Sequence, residues 1–346
     1  MSNIIWFDID NLPHVSLFRP VFAKLGKKSV EYIITARDFN HTLEQLRYWN
    51  IEHIPIGRHG GKNKSLKIIN WLYRARQLEN FFKHQDIPKL AVSHGSRTQV
   101  LAAKKIGIRS LTMMDYEYTE SKIFNYLSNY LLLPVYIPDK RLKDAGFNLK
   151  KVIRYHGFKE HIYINGFRPD ALFRSVIGVS NKEILATIRP PSIVGNYHNK
   201  RSELFLITCL KYLSKFENVH CLIINRTKED RELIKSKINH NENIHFLDKP
   251  VDGLQLIWNS DLVISGGGTM NRESAILGTP TYSIFTGRKP YLDEYLDERN
   301  KLKFIEKEED IFCIPVVKRN RNIINSYDFQ DVVNEVTDIL ISKMKN

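Results

Sequence analysis

Three stretches of the chain hold residues whose types and spacing could do chemistry. In the first, Asp261-Leu-Val-Ile-Ser265-Gly266-Gly267-Gly268-Thr269-Met270-Asn271-Arg-Glu273, an apolar run enters three glycines and then a helical pattern. Glycines let a backbone turn tightly and bring its N–H groups against a ligand, and a helix start adds partial positive charge, which together make a phosphate site. The spacing is neither G-x-x-x-x-G-K-[ST] nor G-x-G-x-x-G. Glu273 falls in the first or second helical turn, where its carboxylate can reach the hydroxyls of a ribose whose phosphates lie on the loop. The plainer alternative is a close-packed turn in which Glu273 serves the helix dipole.

The second stretch, Asp8-Ile-Asp10-Asn-Leu-Pro-His14, follows the first apolar run. An imidazole near neutrality could accept a proton from an attacking hydroxyl, so His14 is a candidate base, with capping or loop hydrogen bonding as the alternative. Asp8-x-Asp10 also suits a divalent-ion D-x-D or a phosphatase nucleophile. The later Lys and paired Asp that a phosphatase needs are not evident, and both aspartates could simply order the loop. The third group lies on loops after later strands. His94 and Ser96, in Ser93-His-Gly-Ser-Arg97, should point into one cleft, and Asp115, Glu117 and Glu120 add carboxylates that could serve as acid or base, or form a solvated acidic turn. In the second half Arg189, His198 and Arg226 follow apolar runs. An arginine there offers a fork of donors matched to phosphate oxygens, although it could also be a surface residue.

Such side chains need a scaffold. Short Val-, Ile- and Tyr-rich runs alternate with helical periodicity along the whole chain, the pattern of repeated βαβ units. Strands are expected near 3–7, 30–35, 51–56, 90–93, 110–113, 132–136 and 152–155, then again near 184–188, 219–224, 243–247, 261–264 and 281–285. Residues 156–170, with Gly157, Gly166 and Pro169 and no clear periodicity, read as the linker. The expected fold is α/β, with two doubly wound Rossmann-like domains facing a cleft: 1–160 for acceptor and catalysis, 161–325 for the nucleotide, and a helix in 326–346 packing back on the first.

Composition narrows the partners. The 52 Lys and Arg against 38 Asp and Glu leave a formal charge of +14, which favours anionic ligands. Three cysteines without C-x-x-C spacing support neither a disulfide framework nor structural zinc, and no stretch reaches the length of a membrane span. The start of the chain does not read as a signal peptide, so a cytoplasmic setting is expected. Residues 62–83 mix cationic and aromatic side chains. Ile68, Ile69, Leu72, Ala75 and Leu78 are the expected core face, leaving Lys62, Lys64, Lys67, Trp71, Arg74 and Arg76 for solvent or for peripheral contact with an anionic membrane. No nucleic-acid module is present.

Residues 265–280, Ser-Gly-Gly-Gly-Thr-Met-Asn-Arg-Glu-Ser-Ala-Ile-Leu-Gly-Thr-Pro, resemble the carboxyl-domain motif of GT-B fold enzymes, among them UDP-N-acetylglucosamine 2-epimerases and the N-acetylglucosaminyltransferase that makes lipid II. Over nearly its full length the chain also resembles the family of domain of unknown function 354. That likeness rests on residues 6–14, Thr35-Ala-Arg-Asp38, Ser93-His-Gly-Ser96, Ile188-Arg-Pro-Pro191 and residues 267–273. The resemblance implies a GT-B fold, a nucleotide diphosphate on residues 265–271 and ribose on Glu273. It also implies Arg189 near the sugar-proximal phosphate, with His198 in the loop that follows. Ser96 stands where the epimerases carry the Asp of a Gly-Asp-Thr motif, a departure that counts against an identical epimerase mechanism. The function expected is glycosyl transfer from a nucleotide sugar, UDP-linked, to a sugar or lipid-linked acceptor in surface-glycan synthesis. The catalytic candidates are His14, Asp10, Asp115, Glu117 and Glu120, without cofactor or metal. A nucleotide-sugar epimerase and a non-catalytic nucleotide-sugar-binding protein are the alternatives.

Overall fold

The computed structural model describes residues 3–39, 41–58, 64–191, 200–225, 227–238, 241–321 and 330–345, with the side chains of 64–68, 330 and 331 excepted. Contacts divide the chain into two compact units, Met1–Asn165 with Ser326–Asn346, and Gly166–Asn325.

The first unit holds strands β1 (Ile4–Ile9), β2 (Glu31–Asp38), β3 (Ile54–Arg58), β4 (Leu90–His94), β5 (Arg109–Met113), β6 (Tyr130–Pro134) and β7 (Val152–Tyr155). Its helices are α1 (Leu12–Lys27), α2 (Thr42–Tyr48), α3 (Lys64–Phe81), α4 (Arg97–Ile106), α5 (Ser121–Leu127), α6 (Asp139–Asp144) and α7 (Lys159–Ile164). All strand pairs are parallel, in the order β3-β2-β1-β4-β5-β6-β7. Because β1 is central it is buried on both faces, and its side chains alternate between two cores. Ile5, Phe7 and Ile9 join Phe18, Phe22 and Leu46, whereas Trp6 faces Leu78, Phe82 and Ala102. Asp8 shares the Trp6 parity and so meets the α3 and α4 side.

The second unit holds α8 (Phe173–Val176), β8 (Ile184–Arg189), α9 (Lys200–Leu213), β9 (Val219–Ile223), α10 (Lys228–Lys237), β10 (Ile244–Phe246), α11 (Gly253–Asn259), β11 (Leu262–Ser265), α12 (Thr269–Ile276), β12 (Thr281–Ser283), α13 (Tyr291–Asp297), β13 (Lys303–Phe304) and α14 (Glu308–Phe312). Its sheet is again parallel, in the order β10-β9-β8-β11-β12-β13. In both sheets the strand order reverses beside the first strand, at β1/β4 and at β8/β11. The crevice at the carboxyl ends beside that reversal is where open α/β sheets bind ligands.

The last helix, α15 (Gln330–Lys345), belongs to the first unit. Val332, Val333, Val336, Leu340 and Met344 enter the core behind β1, and Glu335 accepts from the backbone N–H of His156 at 2.8 Å. Among the described residues no helix is long and apolar enough to cross a membrane.

Several expectations change. Residues 156–170 are not a bare connector, because they contain α7. On α3, Ala75 and Leu78 are buried as expected, but Ile69 and Leu72 are 59% and 49% exposed, so the buried face is rotated from the one the apolar spacing suggested. Arg74, assigned to the outer face, is 2% exposed and lies in that buried face, where it pairs with the Asp8 carboxylate at 2.6 Å. Trp71 is half-buried and Arg76 exposed. Lys62 and the side chains of Lys64, Lys67 and Ile68 lie outside the described residues. The two-residue β13 and the short helices α6, α7, α8, α13 and α14 have too few turns to show a period.

Candidate active site

The carboxyl end of β1 is organised by a buried ion pair. Asp8 is fully buried, and Arg74 on α3 grips it at two points, Nη2 to Oδ1 at 2.6 Å and Nη1 to Oδ2 at 2.9 Å. Thr35 Oγ1 donates to Oδ1 at 2.7 Å and Ser96 Oγ to Oδ2 at 2.6 Å. Burial by itself would raise the Asp8 pKa. The Arg74 guanidinium, with the Ser96 and Thr35 hydroxyls, more than reverses this and holds the carboxyl below its ordinary value. Ser96 also caps α4, accepting from the Gln99 N–H at 3.3 Å. It is therefore fully buried and committed to Asp8, not open to a ligand as the sequence suggested.

Asp10, just past β1, takes Arg37 Nε at 2.9 Å and lies 3.6 Å from Arg74 Nη1. Burial pushes its carboxyl above the ordinary value against the pull of Arg37 and Arg74, and the charge of Asp8 adds to the rise. Asn11 then caps α1 through Leu12 N, with a proline in the first turn, so His14 stands on the first turn of a helix. Its ring centroid is 4.9 Å from that of His94, at the end of β4. Burial, then His94 and Lys159, hold its pKa well below the usual histidine value, and its Nδ1 has no hydrogen-bond partner among the described residues. A neutral imidazole with an uncommitted nitrogen is the form a proton acceptor needs.

His94 continues the chain of contacts, with Nε2 3.2 Å from Asp115 Oδ1 after β5. Lys159 on α7 pairs with the other Asp115 oxygen and lies 3.8 Å from Glu160, while Glu117 and Glu160 are fully buried. The structure thus brings together Asp10, His14, His94 and Asp115 among the candidates, with Glu117 two residues further along the same loop. Glu120 stands at the start of α5, 57% exposed, and faces Arg97 at 3.1 Å. Lys159, Glu160 and Arg74 were missed. Lys159 sits 44 residues from its partner in a segment without periodicity. Arg74 did have a signal, since an aspartate inside the apolar strand Ile4–Ile9 demands a countercharge from a flanking helix.

The corresponding end of the second sheet is built from backbone. Gly267 and Gly268 hold φ of +95° and +88°, in the left-handed region that glycine tolerates. Gly266 has a different reason: a Cβ there would stand 2.3 Å from Pro191 Cα, so the loop after β8 packs directly on it. The Gly266 N–H donates to the carbonyl of Arg189 at 3.0 Å, and the half-buried Arg189 side chain leaves from that point. Gly268 is exposed and begins α12, whose first turn has neither a side-chain cap nor an acidic residue, the condition under which first-turn N–H groups can meet an anion.

Thr269 and Glu273 are half-buried on α12 and Ser265 is fully buried. The side chains of Met270 and Asn271 face the interior: Met270 is 8% exposed, and Asn271 Nδ2 donates to Ser283 Oγ at 2.9 Å and approaches Asp293 at 3.4 Å. His198 and Arg226 lie outside the described residues.

Comparison with known proteins places this geometry. The chain is 26% identical over 348 residues to the uncharacterized protein MJ0665 of Methanocaldococcus jannaschii, covering 98% of this chain and 92% of that protein. Among solved structures it is similar to the UDP-GlcNAc 2-epimerase of Neisseria meningitidis bound to UDP-GlcNAc (TM-score 0.77, 14% identity, 98% of this chain and 100% of that one). The UDP-GlcNAc 2-epimerase of Methanocaldococcus jannaschii gives a TM-score of 0.72 at 14% identity, with coverages of 98% and 99%. MurG of Acinetobacter baumannii gives 0.55 at 13% identity, with coverages of 99% and 100%. At these identities the likeness establishes the fold, GT-B, with its two Rossmann-type sheets. The sequence pattern of the family described as "Protein of unknown function (DUF354)" matches residues 3–346, and the chain belongs to that family.

Proposed function

We propose that the protein is a glycosyltransferase that uses a nucleotide-activated sugar, UDP-linked, in glycan synthesis. The observation that carries this reading is the glycine loop at the β8/β11 reversal, where a loop shaped by Gly266, Gly267 and Gly268 leads into an uncapped helix beside Arg189. Backbone donors fixed before the substrate arrives stabilise charge as it develops, without reorganising. The diphosphate would rest on this loop and on Arg189, with the ribose against Glu273.

In the transfer, the oxygen of an acceptor hydroxyl bonds to the anomeric carbon and its proton passes to a base, for which the His14 imidazole is the first unit's candidate. The bond from that carbon to the diphosphate oxygen breaks, and the departing negative charge falls to the loop N–H groups and Arg189. His94, held by Asp115, faces the imidazolium formed on His14. The similar UDP-GlcNAc 2-epimerases of Neisseria meningitidis and Methanocaldococcus jannaschii are bound to UDP-GlcNAc in their structures, which supports a UDP-sugar as donor.

A second reading, epimerisation of the nucleotide sugar, is favoured by the carboxylates gathered after β5 and on α7. Asp115, Glu117 and Glu160 would take a proton from a sugar carbon as the nucleotide is eliminated and return one as the nucleotide is re-added. Ser96, locked on Asp8, weighs against a carboxylate at its position.

Product analysis separates the readings. Free UDP that appears only with an added acceptor supports transfer, a changed sugar without acceptor supports epimerisation, and tight binding with no turnover supports a binding protein. Transfer is rejected if no acceptor among sugars and lipid-linked sugars releases UDP above the rate seen with water alone.

A further inference from the structure

We propose that Arg74 is a positioning residue for the β1 end: by gripping Asp8 at two points and reaching toward Asp10, it allows two carboxylates two residues apart to sit side by side at one edge of the site. The inference rests on the reading that the Asp10-to-His14 segment is a working site.

The geometry is built for one arginine. The side chain crosses β3 at Gly57, whose φ is +82° and where a Cβ would stand 2.6 Å from Arg74 Cδ, so a glycine is required for the guanidinium to pass. Nε donates to the Ile56 carbonyl at 2.8 Å, and Nη1 also meets the Thr98 hydroxyl on α4. One guanidinium therefore fastens α3, β3 and α4 to β1 while serving both acids. A lysine has the charge but not the fork.

A buried pair of this kind adds little stability over apolar groups of equal volume, so a role in holding an arrangement is the hypothesis to test. Asp10 is the reporter. The charged groups acting on it are Asp8 on β1, Arg37 on β2, Arg74 on α3 and Arg97 on α4. If Arg74 works through charge and position, its loss leaves Asp10 beside an uncompensated Asp8.

The test is a carbon-13 NMR titration of the Asp10 carboxyl in the full-length protein, carried out without substrate. Arg74→Met should raise the midpoint by at least about one pH unit, and Arg74→Lys should recover more than about half of that shift. Asp8→Asn should move it the opposite way, by at least about half a unit, because the like charge is gone and Arg74 is released to Asp10. Leu46→Ala, a destabilising change in the core on the other sheet face, should leave it unmoved.

The proposal is overturned if Arg74→Met leaves the midpoint within about 0.3 units of wild type, if Leu46→Ala shifts it as far as Arg74→Met does, or if Asp8→Asn leaves it unchanged or raises it. Should Arg74→Met fail to fold, the Lys and Asn variants decide the matter. Absence of sugar transfer in the wild type would remove the proposed reaction without touching this titration, so the two failures are separable.

Discussion

The two sheets share a strand order and a reversal beside the first strand, yet they finish their carboxyl ends in opposite ways. The first unit crowds its end with charge: Asp8, Asp10, Asp115 and Glu160 against Arg37, Arg74 and Lys159, with two imidazoles between. The second clears side chains away and presents glycine backbone and a helix start. A crowded polar end can hold a base in a chosen protonation state, at the risk that one lost partner strands a buried charge. A cleared end can admit a large anionic ligand, and its vulnerability is steric. Substitutions should therefore fail for different reasons in the two units.

The largest effect belongs to the charged end. Arg74→Met should destabilise the first unit by about 3–5 kcal/mol, since it leaves Asp8 buried and unpaired. Urea unfolding measures this, and a loss below about 1 kcal/mol would mean that the pair is not the organising contact.

His14→Gln comes next. Turnover should fall by about 10²-fold or more while the melting temperature holds, because the ring is the proposed proton acceptor. With the His14 pKa held below its usual 6.5, wild-type activity should persist as pH falls through 6.5 and decline only below it. A pH–rate profile with its acid limb above 6.5 would contradict that assignment.

At the backbone end Gly266→Ala meets Pro191 backbone and should cost about 2–3 kcal/mol, with weakened nucleotide-sugar binding. Gly268→Ala has open space around its Cβ, so its cost of about 1–3 kcal/mol comes from a backbone at φ +88° and ψ −156° that glycine alone favours. A Gly268→Ala protein as stable as the wild type would remove the dihedral demand.

Acid stability offers a smaller test in the second unit. Burial, then the His245 ring stacked 3.9 Å away, lower the His220 pKa to about 4 from 6.5. Between those values the unfolded chain binds the proton first. The stability it contributes is therefore complete above pH 6.5 and is lost as pH falls toward about 4, an effect on the order of 1–3 kcal/mol that His220→Gln should remove from the unfolding profile. Smallest of all, Glu120→Gln breaks a pair with Arg97 that is half exposed on both sides, and it should change stability by less than about 1 kcal/mol.

Much of this contrast was legible in the residues. Apolar runs ending in polar or glycine-rich turns located the carboxyl ends of β1, β4, β8 and β11. The glycine triplet was readable because backbone demands are local. The charged end was not, because its contacts are long-range: Arg74 lies 66 residues from Asp8, and Lys159 lies 44 from Asp115. On α3, apolar spacing pointed Ile69 and Leu72 inward, whereas the buried face carries Arg74, paired with Asp8. Asn11 and Pro13 were a cap and a first-turn proline in plain view, so the helical placement of His14 could have been read from them.

The central claim, a nucleotide-sugar site on the second unit's glycine loop, is tested most directly by calorimetric titration of a UDP-sugar into the wild-type protein and into Glu273→Ala. Saturable binding by the wild type, weakened at least about tenfold in Glu273→Ala with an unchanged melting temperature, is the predicted result. Binding of equal strength to both proteins, or no binding to the wild type across a panel of nucleotide sugars, would contradict it.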